Sequence, residues 1–137
     1  METRIVEVET FKVKGYSIKG SVSEIPGLWD VLNEEIAERG IIAERSFGLC
    51  LAMEGEVIHY LAGIDADLAG ELPEEAIVPA GKFIVATVAG GIPAIPTTFN
   101  ALMAMDGVKM RYSFSFERYL HPEGSDGYEI EVWLPIE

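Results

Sequence analysis

Cysteine is almost absent from the 137 residues: Cys50 stands alone, so no internal disulfide can brace the chain. Histidine is scarce as well. His59 and His121 lie far apart and have no ligand spacing to Cys50, which argues against a metal centre. Positive charge is thin, with ten Lys and Arg against 23 Asp and Glu. The resulting formal net charge of −13 repels phosphate backbones and anionic lipid at long range, so neither nucleic acid nor a membrane surface is expected as a direct partner. No uninterrupted apolar run reaches the roughly 18 residues of a membrane span. The N-terminal segment 1–11 has neither a basic region nor an apolar stretch of the kind a secretory leader needs, and this predicts a cytoplasmic protein. A glycine-rich phosphate loop and a G-x-S-x-G elbow are both missing, and no cofactor is implied.

What the chain does have is apolar residues, 49% of the total, in a length suited to one domain with its own core. Period-2 alternation over 4–9, 11–20, 47–53, 56–64, 82–89, 111–120 and 127–136 predicts seven or eight strands. Two helices interrupt them. Ser23 can cap a helix carrying Ile25, Leu28, Trp29, Leu32 and Ile36 on one stripe, with Gly40 at its left-handed end. The second helix begins at Pro93 or Pro96 and reaches Met105, with Ile95, Phe99, Leu102 and Met103 on one stripe and Gly107 just beyond.

The two helices belong to a repeat. Residues 24–32 align with 94–102, so that Ile25-Pro26, Trp29 and Leu32 coincide with Ile95-Pro96, Phe99 and Leu102. The order strand, helix, strand, strand recurs around each, with 66–80 as the join and its acidic part, 71–75, as a solvated loop. This predicts an α+β fold of one domain, 1–137. Two duplicated strand-helix-strand-strand units, about 1–70 and 75–137, form an antiparallel sheet with pseudo-two-fold symmetry. The helices lie side by side on that sheet, and a groove between equivalent helices is a favoured place for a ligand.

The strand 111–119 carries the chemistry. Its alternation sets Tyr112, Phe114, Phe116 and Arg118 on one face and Arg111, Ser113, Ser115, Glu117 and Tyr119 on the other. Burying a carboxylate in so apolar a strand raises its pKa unless it is paired, each unit representing about 1.4 kcal/mol. Such a group attracts a poorly hydrated cation, and Trp29, Tyr60, Phe99, Tyr119 and Trp133 can supply ring faces for it. The competing reading makes Glu117 an exposed residue paired with Arg111 or Arg118 and the aromatics plain core. A hairpin turning at Glu54-Gly55 would set Cys50 opposite His59, read as a small residue beside a strand histidine rather than a thiolate nucleophile. Glu129 and Glu131 flank Trp133 on one strand face, and surface solvation is expected for both.

Four separated motifs point further: Ile25-Pro26-x-x-Trp29-x-x-Leu32, Tyr60-x-x-Gly63-Ile64, Pro79-Ala80-Gly81-Lys82-Phe83, and Phe116-Glu117-Arg118-Tyr119-Leu120 followed by 127–136. Together they resemble the gyrase-inhibitory-protein-like (GyrI-like) family, the effector-binding domains of AraC-type and MerR-type multidrug regulators. The resemblance implies a pocket for lipophilic, often cationic or aromatic molecules, in which Glu117 meets the ligand's positive charge with Tyr119 beside it. Trp29, Tyr60, Phe99 and Trp133 are the remaining candidate lining residues. The effector-like pattern starts at about residue 4, which predicts a stand-alone ligand domain without a helix-turn-helix module. Two other functions fit the resemblance: hydrolysis of reactive xenobiotics with Glu117 as general base and Tyr119 assisting, or interaction of the acidic surface with gyrase as a protein partner.

Overall fold

The computed structural model describes residues 2–120 and 129–137. His121 and the first two residues of the strand expected over 127–136 lie outside the described residues. The strands are β1 (Thr3–Val8), β2 (Phe11–Gly20), β3 (Arg45–Glu54), β4 (Val57–Asp65), β5 (Glu74–Val78), β6 (Gly81–Thr87), β7 (Phe116–Leu120) and β8 (Glu129–Ile136). The helices are α1 (Ile25–Glu38), α2 (Ala66–Ala69) and α3 (Ile95–Met103). No helix among the described residues is long and apolar enough to cross a membrane.

The repeat is visible in the local structure. A three-residue 3₁₀ turn leads into each main helix, Val22–Glu24 before α1 and Ile92–Ala94 before α3, so the starts of the two helices are offset by the spacing of the sequence repeat. Proline in the first turn (Pro26, Pro96) suits both, because the missing N–H would have no helical partner there. Leu28 and Leu32 are buried under α1, and Thr98 and Leu102 hold the matching positions under α3. Ser23 does not cap α1. It lies inside the 3₁₀ turn, and Glu24 Oε2 accepts the Ser21 N–H at 2.8 Å instead.

All eight strands form one antiparallel sheet in the order β1-β6-β8-β7-β3-β4-β2-β5. The order has the same form from either edge, with β7 and β3 meeting at the centre. Each edge strand pairs with the opposite half of the chain: β1 with β6, and β5 with β2. The sheet curls into a half-barrel. Phe11 on β2 and Phe116 on β7, two strands intervening, bring their rings to 5.9 Å. On that inner face Phe47, Leu49, Leu61, Phe83, Phe116 and Trp133 form one core. The outer face carries the helices: α1 covers Tyr60, Ala62 and Ile64, and α3 covers Ile84, Val132 and Leu134. Each large side chain fully buried in these layers stabilises the fold by roughly 1.5–3 kcal/mol.

Three expectations change. The join 66–80 is not a plain loop but contains α2 and β5, where Ala76 and Val78 turn inward while Glu75 and Ile77 face out. Charge on the outward side of an edge strand discourages pairing with another chain. The strand expected over 111–120 is ordered as β7 only from Phe116. Before it, Arg111 folds across the sheet end, its guanidinium donating to Ile136 O and Lys82 O and lying 5.1 Å from the Phe83 ring. The hairpin turns at Gly55-Glu56, with Gly55 at φ +61°, and the β3–β4 register slips between Cys50 and Ala52. Cys50 therefore pairs with Tyr60, and His59 faces Ala52, so the Cys50–His59 contact does not form.

Candidate small-molecule site

At the centre of the sheet, β7 pairs with β3 and β8, which places Glu117 between Gly48 and Val132 on the helix-bearing face. Tyr60, from β4, reaches across Gly48 and donates its hydroxyl to Glu117 Oε1 at 2.5 Å. The reach depends on glycine. A Cβ at position 48 would overlap the Tyr60 hydroxyl and come within 2.5 Å of Glu117 Oε1. Tyr119, two residues along the same strand, donates to the same oxygen at 3.4 Å. Trp29 projects from α1 onto this group. Its indole N–H donates to the Tyr60 hydroxyl at 3.2 Å, and its ring meets that of Tyr119 edge-on at 4.9 Å.

The group is therefore a short relay, Trp29 to Tyr60 to Glu117, closed on one side by Tyr119. Phe99, which occupies on α3 the position Trp29 holds on α1, packs against the same cluster as Trp29 and Tyr119. Trp29 itself contacts the cores under both helices and so fills the place where the halves meet. The indole thus stands against Tyr60 and Tyr119, the two side chains that hydrogen-bond Glu117.

Electrostatics set Glu117 apart. Although an edge of the residue stays accessible, burial pushes its carboxyl up to about 7, against the opposing hydrogen bonds from Tyr60, its own backbone and Tyr119. Among the described residues no cation forms an ion pair with it. The alternative of a pair with Arg111 or Arg118 is thereby removed: Arg118 binds Glu131, and Arg111 binds backbone carbonyls. The Tyr60 phenol is pushed up by its burial and by Glu117, and the Cys50 thiol likewise, so both remain protonated. Among the described residues no group of three His, Cys, Asp or Glu side chains could hold a metal ion.

Trp133 does not join this group. It pairs with Phe116, stacks on that ring at 5.3 Å, and therefore lies on the inner face, opposite Glu117. Glu131 lies there too, and solvation does not describe it. It is buried, accepts from Arg4, Arg118 and the Trp133 indole, and is held below the usual carboxylate range because these bonds outweigh the upward push of burial. Gly48 is a site residue that the sequence pattern did not single out. Its only signal is a glycine inside an otherwise apolar strand, a feature that often marks close approach of another group.

A curled antiparallel half-barrel built from two strand-helix-strand-strand units, with helices on its outer face, is the α+β fold of effector-binding domains. The chain belongs to the GyrI-like small-molecule-binding domain family, whose pattern matches residues 1–137. It is 33% identical over 155 residues to the transcriptional regulator BrlR of Pseudomonas aeruginosa. That match covers 99% of this chain and 56% of the regulator, so the chain spans little more than half its length. The fold is similar to that of SAV2435 bound to tetraphenylphosphonium, with a TM-score of 0.74 at 16% identity over 100% of this chain and 94% of the other. EcmrR in a complex with DNA gives a TM-score of 0.72 at 15% identity, covering 99% of this chain and 57% of EcmrR.

Proposed function

We propose that the protein binds lipophilic organic cations, with Glu117 as charge partner and Trp29, Tyr60, Tyr119 and Phe99 as ring walls. The observation that carries this reading is a largely desolvated carboxyl, set among aromatic side chains, that has no cationic partner among the described residues. An inorganic cation or a protonated amine would have to shed tightly bound water to reach it, whereas a charge spread under aryl groups sheds little. Once there, such a charge gains roughly 4 kcal/mol from a carboxylate 4 Å away at an effective dielectric of 20, and about 0.5–2 kcal/mol from each ring face. The family's small-molecule role and the tetraphenylphosphonium bound by SAV2435 support the same class of ligand. In this reading a ligand entering between these rings displaces the Trp29 indole from the Tyr60 hydroxyl that it now meets. The domain then acts as the ligand sensor of a regulatory system, a role consistent with its similarity to part of the transcriptional regulator BrlR, and the net charge of −13 disfavours direct contact of the domain with DNA.

The test is a thermal-shift panel of tetraphenylphosphonium and the neutral triphenylphosphine oxide, on wild type and Glu117→Gln. Preference for the cation in wild type and its loss in the variant support the reading. Equal shifts in both proteins contradict it. A carboxyl titrating at about 7 also suits a general base, which is the observation favouring the hydrolytic reading. Steady turnover of an activated aryl ester that disappears in Glu117→Gln would establish hydrolysis in place of simple binding.

A further inference from the structure

We propose a second ligand site on the inner face of the sheet, shaped for a small aromatic carboxylate and independent of Glu117. A cavity of about 170 Å³ opens there, walled by Phe11, Phe47, Phe116 and Trp133 and edged by Arg45 and Arg118. An apolar cavity of about 150 Å³ is enough to hold a benzene ring, so one aryl group fits. The rings already form a continuous aromatic floor, with Phe47 and Phe11 each within 6 Å of Phe116 and Trp133 stacked on it at 5.3 Å.

The charge of the rim selects the ligand. Arg4 and Arg118 share one carboxylate, Glu131, and each also lies over the Trp133 ring, at 6.0 and 4.7 Å. Two guanidiniums on one buried carboxylate leave a positive charge in excess beside the cavity. Arg45 is paired with Asp65 through Nε and Nη2 only, and Arg118 with Glu131 through the same two nitrogens. Their Nη1 atoms make no hydrogen bond among the described residues, and Phe47 pairs with Arg118 two residues from Arg45, so both arginines lie diagonally on one face. A carboxylate placed between them gains charge-assisted hydrogen bonds while its ring lies on the aromatic floor. Alternation along β7 separates the two sites: Glu117 offers negative charge to the helix face, and its neighbour Arg118 offers positive charge to the inner face.

Benzoate and its neutral isostere benzamide test this, with the indole N–H signals of Trp29 and Trp133 followed by ¹H–¹⁵N NMR on the full chain. The expected result is a saturable shift of Trp133 with benzoate, Trp29 unmoved, and benzamide weaker by about tenfold or more. Arg45→Gln should weaken benzoate by a similar factor, and Glu117→Gln should leave it unchanged. Val8→Phe, which fills the cavity from β1, should abolish the shift and serves if Arg45→Gln fails to fold. An unmoved Trp133, equal affinity for benzamide, or full retention of binding in both variants overturns the proposal. Loss of benzoate binding in Glu117→Gln, or its displacement by tetraphenylphosphonium, would show a single site and overturn it equally.

Discussion

Gly48 and Glu117 face each other across the central β3–β7 seam, and the side chain missing from the one gives Tyr60 its path to the other. The two halves of the chain meet at this pair. Replacing glycine by alanine inside a strand normally adds about 0.5–1 kcal/mol of stability. Here the new methyl group would take the position of the Tyr60 hydroxyl. Gly48→Ala should instead lower stability by about 1–3 kcal/mol, the usual cost of leaving a buried donor or acceptor without its partner. Urea unfolding measures this, and a gain in stability would mean that Tyr60 yields its place without loss.

Stability should also depend on pH in a way peculiar to Glu117. Its folded value of about 7 stands above the ordinary 4.5, so between those values the folded protein keeps a proton that the unfolded chain has released. The contribution is complete below 4.5, is lost as pH rises towards 7, and is flat above; at about 1.4 kcal/mol per unit its ceiling is about 3 kcal/mol. Glu131 acts in the opposite sense, because its depressed value means stability present at neutral pH and lost on acidification. Glu117→Gln should flatten the slope on the neutral side and be more stable than wild type at about pH 8. Denaturant midpoints across this range give the answer, and parallel slopes in the two proteins would exclude Glu117 as the cause.

Trp29 packs on the two tyrosines that hydrogen-bond the Glu117 carboxyl, and its two contributions can be separated. Trp29→Phe keeps a ring against Tyr119 but removes the donor to Tyr60, which should cost about 1 kcal/mol. Trp29→Ala admits water, and the Glu117 carboxyl should then titrate closer to an ordinary carboxylate. Side-chain ¹³C NMR reads that change directly. An unshifted midpoint in the alanine variant would assign the desolvation to the strands alone.

Glu131→Gln should be costly for a different reason. It leaves Arg4 and Arg118 without their shared anion beside Trp133, and breaking a buried pair in this way typically costs about 3 kcal/mol. Arg4 is nearly half exposed, which tempers the loss on its side. A change below about 1 kcal/mol in chemical unfolding would show that water already screens the cluster.

Much of this was legible in the sequence because it depends on local pattern. The repeat of Ile-Pro, an aromatic residue and Leu placed both helices and put Trp29 and Phe99 in equivalent positions, and alternation along 116–120 separated Glu117 from Arg118. What escaped depends on register between strands. The slip between Cys50 and Ala52 leaves no mark in the alternation, yet it moves Tyr60 opposite Cys50. Trp133 and Glu117 belong to different strands, and only the pairing of Trp133 with Phe116 shows that they face opposite ways. β5 was hidden by its own edge character, since Glu74 and Glu75 read as loop when the partner strand is unknown. Residues 111–115 misled in the other direction: they alternate like a strand, but Tyr112 is fully exposed and Arg111 is spent on the sheet end.

Receiving a cation requires Glu117 to become ionised, and calorimetric titration with tetraphenylphosphonium at a series of pH values tests this most directly. Affinity should climb as pH rises through about 7 and then level off, with proton release on binding that is largest below the midpoint. Affinity independent of pH, with no proton released in buffers of different ionisation enthalpy, would contradict it.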